Sequence, residues 1–370
     1  YNEAALGFDS IKPEQNADFN ELTLWKIAAN QMLLQHNPSG VVMPDVAGFA
    51  LTKNLQNYPD KLASRVLLPV IEFFADNNQP DKADLYIKSL PKGLDSADSS
   101  YAMYLQAKIY SAQNKKARAR ELFQKVADAD TDRQSRAKST FEIVKMDIES
   151  KTITDEDAQK KLDRLLIVWK GDAFEYNLLN KLGGMYSASD KYLKALRLYK
   201  QAITKFPNFP ENQRIADDMK VLFAKALNHE TDDKKKIFDD LTTFYEFKEL
   251  AQGGEEGDKV TMGMADKLAR FDLFDEAAKL LEKHIKTLED PVKKAEFSTR
   301  VAILQFMDRQ PQKALDTLKA SDSPSVPAYL KEERVIVATR SLIDIGELDS
   351  ALIAAGALDE AEKNNIKAEI

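Results

Sequence analysis

Imidazoles, hydroxyls beside amines and alternating carboxylates are the groups from which this chain could build a reactive centre. Its three histidines, His36, His229 and His284, are far apart and share no ligand spacing. His229 is followed by Glu230, as in a zinc-binding helix, but Asp233 stands where that motif requires its second histidine. His284 falls at a helix packing position, so a core or boundary role is expected. "SRAK", from Ser135, fits Ser-x-x-Lys but lacks the companion motifs of a nucleophile and its base. "DADTDR", from Asp128, has the alternating carboxylates of a calcium loop, yet Arg133 occupies the position that needs Gly and Ser139 the one that needs Glu. It reads instead as a turn that caps a helix. "AQGGEEGDK", Ala251 to Lys259, resembles a phosphate loop until counted: Asp258, not Gly, precedes Lys259, and Glu255, Glu256 and Asp258 would repel phosphate. There are no cysteines, which excludes disulfides, thiolate-bound zinc and thiol nucleophiles. These residues give no catalytic constellation, no metal site and no cofactor motif, and the chain is expected not to be an enzyme. Trp25 and Trp169 lie in apolar periodic stretches where burial is the expectation.

The elements that carry these residues are helical. Across 370 residues there are only 13 Gly and 13 Pro, against 44% hydrophobic and 31% charged residues, a balance that favours helices joined by short turns. The net charge of −7 argues against general nucleic-acid binding, which draws on Lys and Arg. Charges alternate in sign along the helices, as in "KKARARELFQKVADAD" from Lys115, marking solvated faces. The most apolar run, "RVLLPVIEFFA" from Arg65, is too short to span a membrane and is interrupted by Pro69 and Glu72.

One unit is internally patterned. With Tyr176 as position 1, small or apolar residues fall at Leu182, Gly183, Tyr186, Ala195, Tyr199 and Ala202, and Pro207 closes the unit. A short form of the pattern, an Ala followed by an apolar residue four positions later, recurs at Ala83, Ala119, Ala158, Ala195, Ala277, Ala314 and Ala351. Successive gaps are 36, 39, 37, 82, 37 and 37 residues, and the 82 splits into two steps of 41 around a degenerate unit between "IADDMKVLF" and "TTFYEF". An earlier unit is expected around Ala47. The recurring Ala marks where two antiparallel helices approach most closely. Gly183 is expected at the same close approach, offsetting a propensity cost of roughly 1 kcal/mol, whereas Gly184 has no such role. Pro80, Pro291 and Pro311 are expected at first helical positions, and Asp190 and Asp290 as N-caps. Loops are expected at Pro91–Ser99, Thr152–Asp157, Gly253–Asp258 and Ser321–Pro327.

In these spacings the chain resembles the tetratricopeptide repeat family, as in large bacterial proteins with such repeats. The resemblance implies an all-α fold: a right-handed α-solenoid superhelix of antiparallel helix pairs with a period of 36–41 residues. It divides the chain into an N-terminal helical segment over 1–60, a repeat array over 61–357 and a capping helix over 358–370. It also implies a protein–protein interaction scaffold with a concave groove, lined by the first helix of each pair, that takes a partner peptide or helix. Carried onto this sequence, the groove positions are Tyr101, Tyr104 and Lys108; Asn177 and Asn180; Lys259, Asp266 and Glu296; and Phe306, Glu333 and Arg340. Tyr101, Tyr104 and Lys108 are expected as exposed anchors. The family's carboxylate clamp is not reproduced. The alternative is a recognition or spacer arm of a larger polypeptide whose preceding part carries an anchor or an enzyme, motivated by a chain that opens at Tyr1. That start and the absence of cysteine point to a bacterial cell envelope; the partner would be a protein, not a nucleic acid.

Overall fold

The structure, a computed structural model, describes residues 3, 7–8, 19–35, 38, 41–44, 55, 57–229, 233–251, 254–324, 326–358 and 363–364. Among these residues there are seventeen α-helices and no strand. The helices are α1 (Phe19–Leu34), α2 (Asp60–Asp76), α3 (Pro80–Ile87), α4 (Ser96–Ala112), α5 (Lys116–Asp128), α6 (Arg133–Glu149), α7 (Asp155–Val168), α8 (Ala173–Ala188) and α9 (Tyr192–Lys205). They continue as α10 (Asn212–Leu227), α11 (Lys234–Glu246), α12 (Glu255–Ala269), α13 (Phe274–Ile285), α14 (Pro291–Met307), α15 (Pro311–Ala320), α16 (Ala328–Asp344) and α17 (Leu348–Ala355). From α2 onward they follow one another as first and second members of helix pairs. The chain forms two compact units, Tyr1–Ala216 and Asp217–Ile370.

All seven recurring alanines, Ala83, Ala119, Ala158, Ala195, Ala277, Ala314 and Ala351, have no solvent-accessible surface. That is the tetratricopeptide-like arrangement: a methyl group at the crossing lets two helices close without a gap. The degenerate unit is also present, as α10 and α11, which meet through Phe223 and Phe244 with ring centroids 5.9 Å apart. The unit expected around Ala47 lies outside the described residues.

Each of the seven pairs that carry a recurring alanine turns in the same way. The turn carries one residue with positive φ: Asn78, Asn114, Lys151, Asp190, Asp272, Arg309 and Gly346, with φ between 55° and 84°. The next residue donates its N–H back to the carbonyl five positions before it, as Gln79 does to Phe74 and Lys191 to Tyr186, both at 2.9 Å. This left-handed cap satisfies carbonyls that the helix end would otherwise strand. Asp190 therefore does not cap α9 as expected; it supplies the left-handed turn, and Lys191 is the N-cap residue. Asp290 does cap α14, accepting from Val292 N at 2.8 Å. Pro80, Pro291 and Pro311 stand at the first turns of α3, α14 and α15. Three of the expected loops are shorter, because Asp95, Thr154 and Gly254 cap helices that start at Ser96, Asp155 and Glu255.

Gly183 is needed for a different contact from the one expected. A Cβ there would lie 2.5 Å from Cε1 of Tyr199, so the glycine makes room for an aromatic ring of α9 rather than for the Ala195 backbone. At Gly184 the nearest atom would be the Tyr199 hydroxyl at 3.7 Å, an ordinary contact.

Helix α2 carries the apolar run and is buried almost all round, from Ala63 to Phe74 with Arg65 the exception. A helix apolar on every side must be covered on every side. Helices α3 and α4 pack on it from within the array, and α1, which has no mate in the hairpin series, covers another face.

Candidate functional site

In unit 1 the first helices of the pairs, α2, α4, α6 and α8, line one face. Glu72 on α2 and Lys138 on α6 belong to pairs two steps apart, yet Lys138 Nζ lies 3.0 Å from Glu72 Oε1, with both side chains at most 7% exposed. Tyr101 and Tyr104 of the intervening α4 stack at 5.9 Å and 9°, and the Lys138 ammonium sits 5.2 and 5.8 Å above their rings. Lys108, also on α4, pairs with Asp76 on α2 and lies over the Tyr104 ring. The cluster is compact and internally neutralised, with Glu72, Lys138 and Tyr104 buried and Asp76 at its exposed edge.

Its electrostatics follow from burial opposed by neighbours. Burial pushes the Glu72 carboxyl up, but Lys138 and Lys108 outweigh it and hold the group down at about 2. Burial and the Glu72 charge push the Tyr101 hydroxyl well above its ordinary range. Burial also drives Tyr104 up. Burial alone would lower Lys108, yet Tyr104, Asp76 and Glu72 raise it above the usual lysine value. At neutral pH the centre is an ion-paired, protonated-phenol cluster.

Helix α1 lies against this face. Leu24, Ile27 and Ala28 join the same core as α2 and α4. At its C-terminal end Gln35 Nε2 is 3.4 Å from Glu72 Oε2, and the Gln35 carbonyl accepts from Ala173 N, the first residue of α8, at 2.7 Å. None of the described residues of α1 is exposed. Between α1 and the first helices is a cavity of about 860 Å³. Trp25, Ala29 and Met32 of α1 line it, facing Val66, Pro69 and Glu72 of α2, Tyr101, Lys138 and Trp169. A second cavity of about 510 Å³ at the far end of α1 is bordered by Lys108, Phe141, Lys145, Asn177 and Lys181. The two tryptophans are half-buried rather than core: Trp25 Nε1 donates to the Tyr58 hydroxyl at 3.1 Å and Trp169 Nε1 to Asp172 Oδ1 at 2.8 Å.

These positions correct one expectation. Tyr104 is 4% exposed and Tyr101 and Lys108 are half-buried, so the three are not exposed anchors. They are consumed by Glu72, Asp76, Lys138 and the seat of α1. Elsewhere in unit 1, Asn177 is exposed and Asn180 accepts from Arg214 at 3.3 Å. Glu72 and Lys138 were not anticipated. Their one sequence signal is a carboxylate inside "RVLLPVIEFFA", where a buried charge demands a partner.

In unit 2 the corresponding first helices are α12, α14 and α16. Adjacent helices are joined by polar rungs: Arg300 on α14 pairs with Asp266 on α12 at 2.5 Å, and the Tyr329 hydroxyl on α16 donates to Glu296 on α14. Tyr329 is 64% exposed, and Lys259 and Glu333 are exposed. Lys259 also pairs with Glu255 at 2.8 Å within its own helix. Phe306 is half-buried against a small cluster of Ala302, Ala314, Leu318 and Val337, and Arg340 is half-buried on α16. Behind this face, His284 is buried with Nε2 2.8 Å from Asp258 Oδ1 and its ring 4.9 Å from Phe297. Burial raises the Asp258 carboxyl, but hydrogen bonds from Lys293 and His284 outweigh it and lower the group. This is the core role expected for His284. His36 lies outside the described residues, and His229 approaches Asp240 at 3.3 Å.

The remaining chemical motifs are structural. The Ser135 hydroxyl donates to Asp132, which caps α6, and Lys138 is paired with Glu72, so neither half of the Ser-x-x-Lys is available. Asp130 pairs with Arg136 at 2.8 Å. Among the described residues no group of three or more His, Asp or Glu could hold a metal ion, and no helix is long and apolar enough to cross a membrane.

No family model matches this chain, and no curated protein matches it. Solved structures similar to it include the APC/C hetero-tetramer Cut9-Hcn1, at 14% identity over 95% of this chain with a TM-score of 0.37. A tetratricopeptide repeat protein from Parabacteroides merdae is 10% identical, covering 74% of this chain and 99% of that one with a TM-score of 0.29. Yeast Tom70 is 15% identical, covering 99% and 68% with a TM-score of 0.29. The chain spans 59% of the length of the Cut9-Hcn1 chain that it matches. The tetratricopeptide-like assignment rests on the hairpins of this chain: their buried alanines, shared turn geometry and ordered first-helix face.

Proposed function

We propose that this chain is a non-enzymatic scaffold that binds a protein partner, as a peptide or helix, on the face formed by the first helices of its pairs. One observation carries the reading: α1, a helix outside the hairpin series, already lies on that face in unit 1. A surface built to hold one helix by an apolar floor and paired charges is suited to helical recognition. In unit 2 we take the corresponding binding face to run through Lys259, Asp266, Glu296, Phe306, Glu333 and Arg340. Its exposed Tyr329 and charged flanks are the chemistry of binding anchors.

The test is affinity capture with the whole chain, followed by charge reversal at exposed positions. Lys259→Glu with Glu333→Lys should leave the helical content intact and weaken the captured partner's binding by about tenfold or more. Capture unchanged by the pair, or measurable turnover by the purified chain, would remove the proposal.

A further inference from the structure

In unit 1 the groove is filled incompletely by its own helix. The face of α1 that includes Trp25, Ala29 and Met32 does not close on the first helices; it borders the cavity of about 860 Å³. The cavity is half open to solvent, and its volume is large enough for several side chains. Two of the α1 residues that line it, Ala28 and Ala29, carry only a methyl group, and Ala29 is 7% exposed. Opposite it, Pro69 interrupts the hydrogen-bond ladder of α2, so the Arg65 carbonyl loses its usual helical donor on the cavity side. The helix itself carries only two charges, Glu21 and Lys26.

We infer that α1 is a place-holding ligand of the unit 1 groove, seated in cis and exchangeable for a nearly uncharged helix presented in trans. The favoured occupant carries a larger apolar side chain at the position of Ala29, which fills the cavity that α1 leaves. The groove is then self-occupied until such a helix arrives. This inference rests on the reading of the first-helix face as a helix-binding surface, but it concerns unit 1 alone.

The probes are two labelled peptides, Phe19–Leu34 in its own sequence and the same peptide with Ala29→Leu. They are titrated by anisotropy into the full chain and into the full chain carrying Ile27→Glu, which unseats a side chain with no exposed surface. Binding of the native-sequence peptide should strengthen by about tenfold or more in Ile27→Glu. The Ala29→Leu peptide should bind about tenfold tighter than the native-sequence peptide to the same protein, since roughly three added carbons enter the cavity. Native-state hydrogen exchange on the unsubstituted chain is the second measurement: α1 amides should open through a local release while α2 stays protected. The inference is overturned if neither peptide binds, if Ala29→Leu weakens binding, or if α1 and α2 exchange with one common protection. It is also overturned if Ile27→Glu melts unit 1, because α1 would then be an inseparable part of the core. None of these outcomes bears on the charge-reversal test in unit 2, so the two readings fail separately.

Discussion

Lys138→Met tests whether the unit 1 groove is organised by charge. The Lys138–Glu72 pair is 3.0 Å long between side chains 6% and 7% exposed, so water does little to screen it. Glu72 is held from the ordinary 4.5 to about 2, which corresponds to about 3 kcal/mol favouring the ionised form at neutral pH. Removing Lys138 leaves a buried carboxylate with burial acting against it, and losing one partner of such a pair typically costs about 3–5 kcal/mol. The expected loss in unit 1 is therefore about 3 kcal/mol at pH 7. Glu72→Gln in the Lys138→Met background should restore more than half of it, because the amide no longer needs a cation. Urea unfolding followed by tryptophan fluorescence isolates this unit, since Trp25 and Trp169 are the two tryptophans of the chain and both belong to it. The pH dependence gives a sign as well as a size. In the unsubstituted chain Glu72 has a depressed folded value, so its contribution is present above about 4.5 and is lost as pH falls towards 2. In Lys138→Met burial is opposed only by Lys108 and the Tyr101 hydrogen bond, so the loss of stability on acidification should be smaller than in the unsubstituted chain. A loss below about 1 kcal/mol, or the same pH slope in both proteins, would refute the argument that this pair organises the groove.

Further predictions concern the repeat. Ala195→Leu should overpack a crossing with no accessible surface and cost about 1–3 kcal/mol by urea titration. Gly183→Ala should destabilise by about 1 kcal/mol or more despite better helix propensity, because its Cβ meets the Tyr199 ring at 2.5 Å; Tyr199→Leu in the same chain should relieve most of that. Gly184→Ala is the control, and should be neutral or stabilising by up to about 1 kcal/mol. Arg309→Gly removes a side chain from a residue at φ 57° and should raise the melting temperature of unit 2, with a gain of about 0.5–1 kcal/mol.

The repeat was legible because one physical requirement, close approach of two helices, writes the same small residue at near-constant spacing. The positive-φ turns are equally periodic, five residues before the Ala in six of the seven pairs. They do not read as a motif because Asn, Lys, Asp, Arg and Gly all occupy them. The geometry is dictated there by the helices on either side, and the residue type only modulates its cost. The groove was less legible. Positions 101, 104 and 108 do face the first-helix surface, but sequence spacing does not tell whether a surface is open, and here α1 lies over it. The signature of α1 is faint because none of its described residues is exposed, so no apolar stripe stands against a solvated face.

The first-helix faces of the two units thus carry their charges differently. In unit 1 its charges are turned inward: Lys138 and Lys108 are spent on Glu72 and Asp76, the tyrosines serve as their platform, and α1 covers the result. In unit 2 the rungs Asp266–Arg300 and Glu296–Tyr329 tie neighbouring helices together at partly exposed positions, leaving Tyr329, Glu333 and Lys259 directed to solvent. Reversing a charge in unit 1 therefore acts mainly through stability, since it strands a buried partner. On the proposed function, reversing an exposed one in unit 2 should act mainly through association, since an exposed charge contributes little to folding. Lys138→Glu and Glu333→Lys compared side by side should separate along that line. The first should shift the urea midpoint by more than any change in partner binding can explain, and the second should leave the midpoint within about 0.5 kcal/mol of the parent while weakening capture. If Glu333→Lys moved the midpoint as far as Lys138→Glu, the solvent-facing reading of the unit 2 surface would be wrong, because only a buried charge carries a cost of that size.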